Sequence, residues 1–257
     1  MLAKLTPNTQ IIGQNLIYFN QIDSSNDFAQ RLIQEKKAIN GTLIITAYQS
    51  KGRGQGQHIW ESQAGKNLLC SLILLPESNI QDAFVLNKAL AISLVETLQP
   101  FIGANKINIK WPNDLFVGRR KLGGLLVENT FQGQSIKSAV MGFGINTFQS
   151  FEDSTINAIQ LAAISQEAFS HETIILHWVK TFESYYNNIL KEQSKGIHEQ
   201  FNTLLLGYEQ TSTFEINRQS LSATIKGCDE HGRLILESNQ GQQNLYLHGQ
   251  ITQVINE

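Results

Sequence analysis

Apolar residues recur along the chain at two spacings, and these divide it into elements. Residues 42–48 (TLIITAY) and 67–75 are β-branched and aliphatic runs that predict strands. Upstream, residues 11–19 predict a short hairpin or a pair of strands. In IDSSNDFAQRLIQEKK, Ser24 is placed to cap a helix whose Phe28, Ala29, Leu32 and Ile33 share one face. Residues 79–98 carry Leu86, Leu90, Leu94, Val95 and Leu98 at helical spacing, a core stripe closed by Pro100. Residues 107–117 alternate as a strand and turn at Trp111-Pro112-Asn113-Asp114. Strands follow at 125–127, entered through Gly123-Gly124, and at 135–146. The stretch 147–170 is an irregular connector with a short helix near 159–164. Ser170 then caps a long helix to residue 190, with His171 and His177 on its polar side. A short helix near 197–206 precedes five short strands at 213–216, 221–228, 233–238, 243–247 and 250–254, the pattern of a small barrel.

The connection between the first two strong strands carries the densest chemistry. Gly52, Gly54, Gly56 and Gly65 surround Arg53, Gln55, His58, Trp60 and Lys66. Such glycines let backbone N–H groups approach an anion, Arg53 can bind a carboxylate or phosphate, and Trp60 can stack on a flat ring. The alternative is a mobile surface loop. The glycine spacing is not that of a dinucleotide fingerprint, and no GxxxxGK[ST] loop occurs. Further polar clusters sit at element ends. Ser24, Ser25 and Asn26 exceed what one helix cap needs, and Lys110, Asn113 and Asp114 share the turn after a strand. Lys121 precedes Gly123-Gly124, and Gly142-x-Gly144 precedes Asn146. Helix capping and turn formation are the plain readings of the first two clusters.

Composition narrows the class. The chain has 257 residues and a formal net charge of −2, so nucleic-acid binding has no electrostatic footprint. Cys70 and Cys228 are far apart with no CxxC, which argues for a reducing compartment and against structural zinc. No apolar run approaches a membrane span and no signal-peptide core is present, so a cytoplasmic protein without a membrane partner is expected.

Taken in order, IDSSN, YQSKGRGQGQHIW, KWPND, KLGGLLVE and GFGIN resemble the catalytic core of the biotin protein ligases (biotin–[acetyl-CoA-carboxylase] ligases). The resemblance implies an α+β fold: a mixed β-sheet with packed helices over residues 1–207, then a small SH3-like β-barrel over 208–257. It implies condensation of biotin with ATP and Mg²⁺ to biotinyl-5′-AMP, releasing pyrophosphate. Biotin then passes to one lysine of a biotin carboxyl carrier protein. By position, Ser24, Ser25, Asn26, Gln49, Gly52, Arg53, Gly54, Gln55, Lys121, Gly123, Gly124, Gly142 and Gly144 would hold biotin. Arg53, Trp60, Lys110, Asn113, Lys121 and Asn146 would hold ATP and the adenylate. Arg53, Lys121 and Asp114 would be the catalytic groups, with no metal site from the protein alone beyond Asp114 as a Mg²⁺ contact. A monomer or a homodimer is compatible with this core, and residues 147–170 are expected to order on ligand. About twenty residues precede IDSSN, too few for the DNA-binding domain that some members carry.

Two other classes stay in view. A lipoate or octanoate ligase shares the implied fold, and Arg119-Arg120-Lys121-Leu122-Gly123-Gly124 mimics part of its loop but lacks a third glycine. A non-catalytic biotin binder would have lost phosphate contacts, yet Arg53, Lys121 and Asn113 are all present.

The glycine loop departs from the family's GRGRxGRxW, with Gln55 and His58 where arginines are usual. Fewer cations predict a looser grip on biotinyl-AMP. Dissociation of preformed biotinyl-AMP is therefore expected to be slower from a Gln55→Arg variant, and equal rates would refute this.

Overall fold

The computed structural model describes residues 5–151 and 157–255. The first strand, β1 (Leu16–Phe19), pairs in parallel with β2 (Leu43–Thr46). The hairpin expected over 11–19 is this single strand preceded by a turn. Its N-terminal approach is held from afar: the buried Glu183 carboxylate accepts the backbone N–H groups of Gln10, Ile11 and Ile12 at 3.0, 2.6 and 3.0 Å. Those donors are consumed by a side chain, so no partner strand forms there.

From β2 the sheet continues through β3 (Asn67–Leu74), β7 (Ser135–Asn146), β6 (Arg120–Gln132), β5 (Asp114–Val117) and β4 (Ile107–Lys110), all antiparallel. Gly123 and Gly124 lie inside β6 rather than before it. Side-chain alternation assigns the two faces. Leu43, Ile45, Leu72, Leu74, Met141, Phe143 and Ile145 meet α2 (Ala83–Leu98) and α3 (His171–Leu190) in the main core. Ile44, Ile73 and Val140 face the other way, against α1 (Ser25–Gln34). Ser24 caps α1 as expected. The second helix begins later than the 79–98 pattern implied, because Asp82 accepts from the N–H groups of Phe84 and Val85 and sets its start.

His171 is a correction. It is not on an exposed face: its Nε2 lies 2.7 Å from Thr147 Oγ1 and its ring packs against Phe148, while His177 is exposed. The short helix near 159–164 is one 3₁₀ turn, Leu161–Ala163. Of the connector 147–170, residues 152–156 lie outside the described residues. The described part is anchored by Thr147 Oγ1 donating to Lys66 O at 2.8 Å and by Phe148 stacked on Phe169.

After α4 (Lys195–Leu204) comes a five-stranded antiparallel sheet. It comprises β8 (Thr211–Ile216), β9 (Gln219–Cys228), β10 (Leu234–Glu237), β11 (Gln243–Tyr246) and β12 (Thr252–Gln253). Phe214, Ile225, Leu234 and Ile251 join the same core as the large sheet, so the two sheets share packing. Among the described residues no helix is long and apolar enough to cross a membrane.

Removing the Glu183 carboxylate would strand three backbone donors. Glu183→Ala is expected to lower unfolding free energy by about 3 kcal/mol in urea titration. A change within the noise of the measurement would show that water replaces the carboxylate without loss.

Candidate active site

The face of the large sheet that carries α1 also carries a cavity of about 300 Å³. Its floor is backbone. Gly144 pairs with Gly124 and with Leu69, and Gly142 pairs with Leu126 and Ser71. A Cβ on Gly144 would stand 2.5 Å from the Trp60 indole, and one on Gly142 would strike Asn26 Oδ1. The glycines thus receive these two side chains.

Residues 52–60 fold over this floor as a tight hairpin rather than a free loop. Trp60 N donates to Gly52 O at 3.0 Å and Gly54 N to His58 O at 2.8 Å, with Gly56 at φ +64° in the turn. Trp60 Nε1 is buried without a hydrogen-bond partner among the protein's own groups.

One end of the cavity is a neutral hydrogen-bonding network. The Ser25 hydroxyl donates to Gln49 Oε1 at 3.0 Å, and Ser71 Oγ lies 2.7 Å from Ser25 Oγ and 2.6 Å from Asn26 Oδ1. Asn26 Nδ2 donates to Glu128 Oε2 at 2.9 Å. The rest of the wall is ionic. Arg53 donates to Glu128 Oε1 at 2.6 Å and is also bound to Asp27; these contacts, that with Glu128 foremost, raise its pKa above the usual arginine value. Lys121 pairs with Asp114 at 2.8 Å and lies over the Trp60 ring, 5.6 Å from its centroid. Lys110 lies over the Phe116 ring, and burial pushes its pKa down, opposed by Asp114.

Ser24, Gln49, Gly54, Gln55, Asn113 and Lys110 all line the cavity with the residues already placed. Gly52, Gly123 and Asn146 stand behind its wall. Gly52 lies under the Trp60 backbone, Gly123 under Gly144 O, and Asn146 Nδ2 donates to Lys121 O at 3.2 Å. The sequence reading missed Glu128 and Ser71. Strand alternation from Gly124 through Leu126 would have placed Glu128 on this face. It also missed His248, Ile251, Thr252 and Gln253, which the small sheet contributes. No local motif marks them.

No group of three or more His, Cys, Asp or Glu able to hold a metal occurs among the described residues. Asp114 is a lone carboxylate at the cationic end, a donor set that fits Mg²⁺ carried chiefly by phosphate oxygens.

Fold and cavity together define a protein with one glycine-floored cavity lined by neutral hydrogen-bonding groups and by cations. The profile of the Biotin/lipoate A/B protein ligase family matches residues 18–146, and the chain belongs to that family. It is 28% identical over 242 residues to the bifunctional ligase/repressor BirA of Bacillus subtilis, covering 93% of this chain and 74% of the relative. It is 30% identical over 126 residues to the biotin–[acetyl-CoA-carboxylase] ligase of Paracoccus denitrificans, covering 48% of this chain and 51% of the relative. The fold matches that of the Aquifex aeolicus biotin protein ligase solved with biotin and ATP, with a TM-score of 0.74 at 23% identity over 95% of this chain and 100% of that one.

Gly144→Ala is expected to leave the chain folded while displacing Trp60 and weakening nucleotide binding about tenfold, read by calorimetric titration. Undiminished affinity would show that Trp60 is no part of the nucleotide site.

Proposed function

We propose that the chain activates biotin with ATP and transfers it to a lysine of a biotin carboxyl carrier protein. The observation that carries this reading is the mixed lining of the glycine-floored cavity, where the neutral side chains of Ser25, Asn26 and Gln49 stand with the cations Arg53, Lys110 and Lys121.

A ureido ring both donates and accepts hydrogen bonds and so matches Ser25, Asn26, Gln49 and Ser71. A dithiolane or an alkyl tail would make none of these hydrogen bonds, which favours biotin over lipoate and octanoate. The names of the relatives support the same choice.

In the first step the acid's carboxylate attacks the α-phosphate, so two anions must be brought together. Cations and backbone donors supply most of what that requires. Arg53, joined to Asn26 of the neutral network through Glu128 alone, is placed to hold the carboxylate beside the phosphate. Lys121 holds the phosphate and the developing mixed anhydride, steered by Asp114. Trp60 offers its ring face and its unpartnered Nε1 to the nucleotide, and Asn113 closes that wall. Asp114 would touch a Mg²⁺ ion carried by the ATP phosphates, and that ion would supply charge neutralisation there. In the second step a lysine amine attacks the acyl carbon, a step that needs positioning above all.

The reading predicts ATP–pyrophosphate exchange that depends on biotin and not on lipoate or octanoate. Lys121→Met should lower its kcat about 100-fold or more. Exchange driven by lipoate or octanoate would move the assignment to the sister enzymes, and no exchange with any acid would favour the non-catalytic binder.

A further inference from the structure

A second cavity, of about 330 Å³, opens beside the first and shares Gln55, Pro112, Asn113 and Leu126 with it. It lies where β6 loses a neighbour. β5 pairs with β6 as far as Gly124, and Asn113 extends that contact by accepting from Leu125 N. Beyond this point β6 runs on to Gln132 beside β7 alone among the described residues.

Its walls are of two kinds. Phe84, Pro112, Leu126 and Val127 are apolar. The polar wall carries the Glu230 carboxylate, with His231 Nε2 3.7 Å from it, and Asn87 Oδ1 and Gln55 Oε1, both buried without a hydrogen-bond partner. No lysine or arginine lines it among the described residues, the reverse of the first cavity. Buried acceptors lacking donors suit a cation rich in N–H bonds, and apolar walls suit an alkyl stem.

The mouth is held in place. The fully buried Lys88 ammonium donates to Cys228 O at 3.1 Å and Asp229 O at 2.8 Å. Trp111 Nε1 donates to Gly232 O at 3.0 Å, and the Phe84 ring fills the space over Gly232. The turn 229–232 is pinned from both ends, leaving Glu230 and His231 exposed at the opening.

We propose that this second cavity is the entrance for the acceptor's lysine side chain, with Glu230, Asn87 and Gln55 drawing its ε-ammonium toward the acyl adenylate. The proposal rests on the ligase reading above. In the transfer the N–C bond forms and the acyl C–O bond to phosphate breaks. The electron pair of that bond leaves on AMP, and the protons shed by the ammonium pass to water.

Two exposed positions test it: Glu230→Lys places a positive charge at the mouth, and Gln81→Trp narrows it. With a biotin carboxyl carrier domain as acceptor, kcat/KM for transfer is expected to fall about tenfold in each variant. Biotin-dependent ATP–pyrophosphate exchange should match wild type. Preformed biotinyl-5′-AMP offered Nα-acetyl-lysine amide should show the same losses, because a small amine uses the entrance without other contacts. Wild-type transfer in both variants overturns the proposal. So does a loss confined to the carrier domain, which would make Glu230 a rim contact. Absence of biotin-dependent exchange in the wild type is a separate failure, since it removes the ligase reading itself.

Discussion

The close approach of two side chains to bare backbone governs the site. Gly142 and Gly144, two residues apart on β7, face the same way, and Gly124 stands across from Gly144. Without side chains there, the sheet becomes a floor on which the Asn26 amide and the Trp60 indole can lie. Each marks one end of the cavity, the neutral network and the stacking wall. A methyl group at either β7 position would enter the space these groups occupy. The glycines also weaken a central strand, a cost offset by β7's pairing on both sides from Ala139 to Ile145, the stretch that holds both glycines.

The charges on that floor are arranged before any ligand arrives. Arg53 meets two carboxylates and Lys121 meets one. These partners keep long, flexible cations from scattering into solvent, so less ordering remains for binding to supply. Because Glu128 holds Asn26 with one oxygen and Arg53 with the other, the neutral and ionic ends are mechanically joined. A shift of the amide at one end is felt by the guanidinium at the other.

Much of this was legible in the sequence, for identifiable reasons. Unbroken apolar runs located β2, β3 and β7, which are buried on both faces, and helical periodicity located α1 and α3, which bury one. The glycine loop and the KWPND turn advertised chemistry because their residue types exceed what a turn needs. The start of α2 lies later than the apolar pattern implies because Asp82 accepts the N–H groups of Phe84 and Val85 and so sets it. His171 was misread because its partners, Thr147 and Phe148, lie on a connector whose path periodicity cannot give. Glu183 sits on the apolar side of α3 because the N–H donors to its carboxylate come from residues 10–12, far away in sequence.

The contribution of the small sheet was the least legible, and its physical basis explains why. His248, Thr252 and Gln253 are ordinary polar residues on short strands and turns, with no spacing that marks a site. They reach the cavity because the second sheet is packed into the same core as the first. Lys88 reinforces that union at unusual expense, since a fully buried ammonium is disfavoured by desolvation, which pushes its pKa down. Two carbonyl groups of the small sheet and the His198 ring offset that penalty. A buried cation satisfied mainly by backbone oxygens fixes position more stringently than an apolar contact, because few geometries satisfy it. The cavity is therefore a product of both sheets, and the register between them is part of the site.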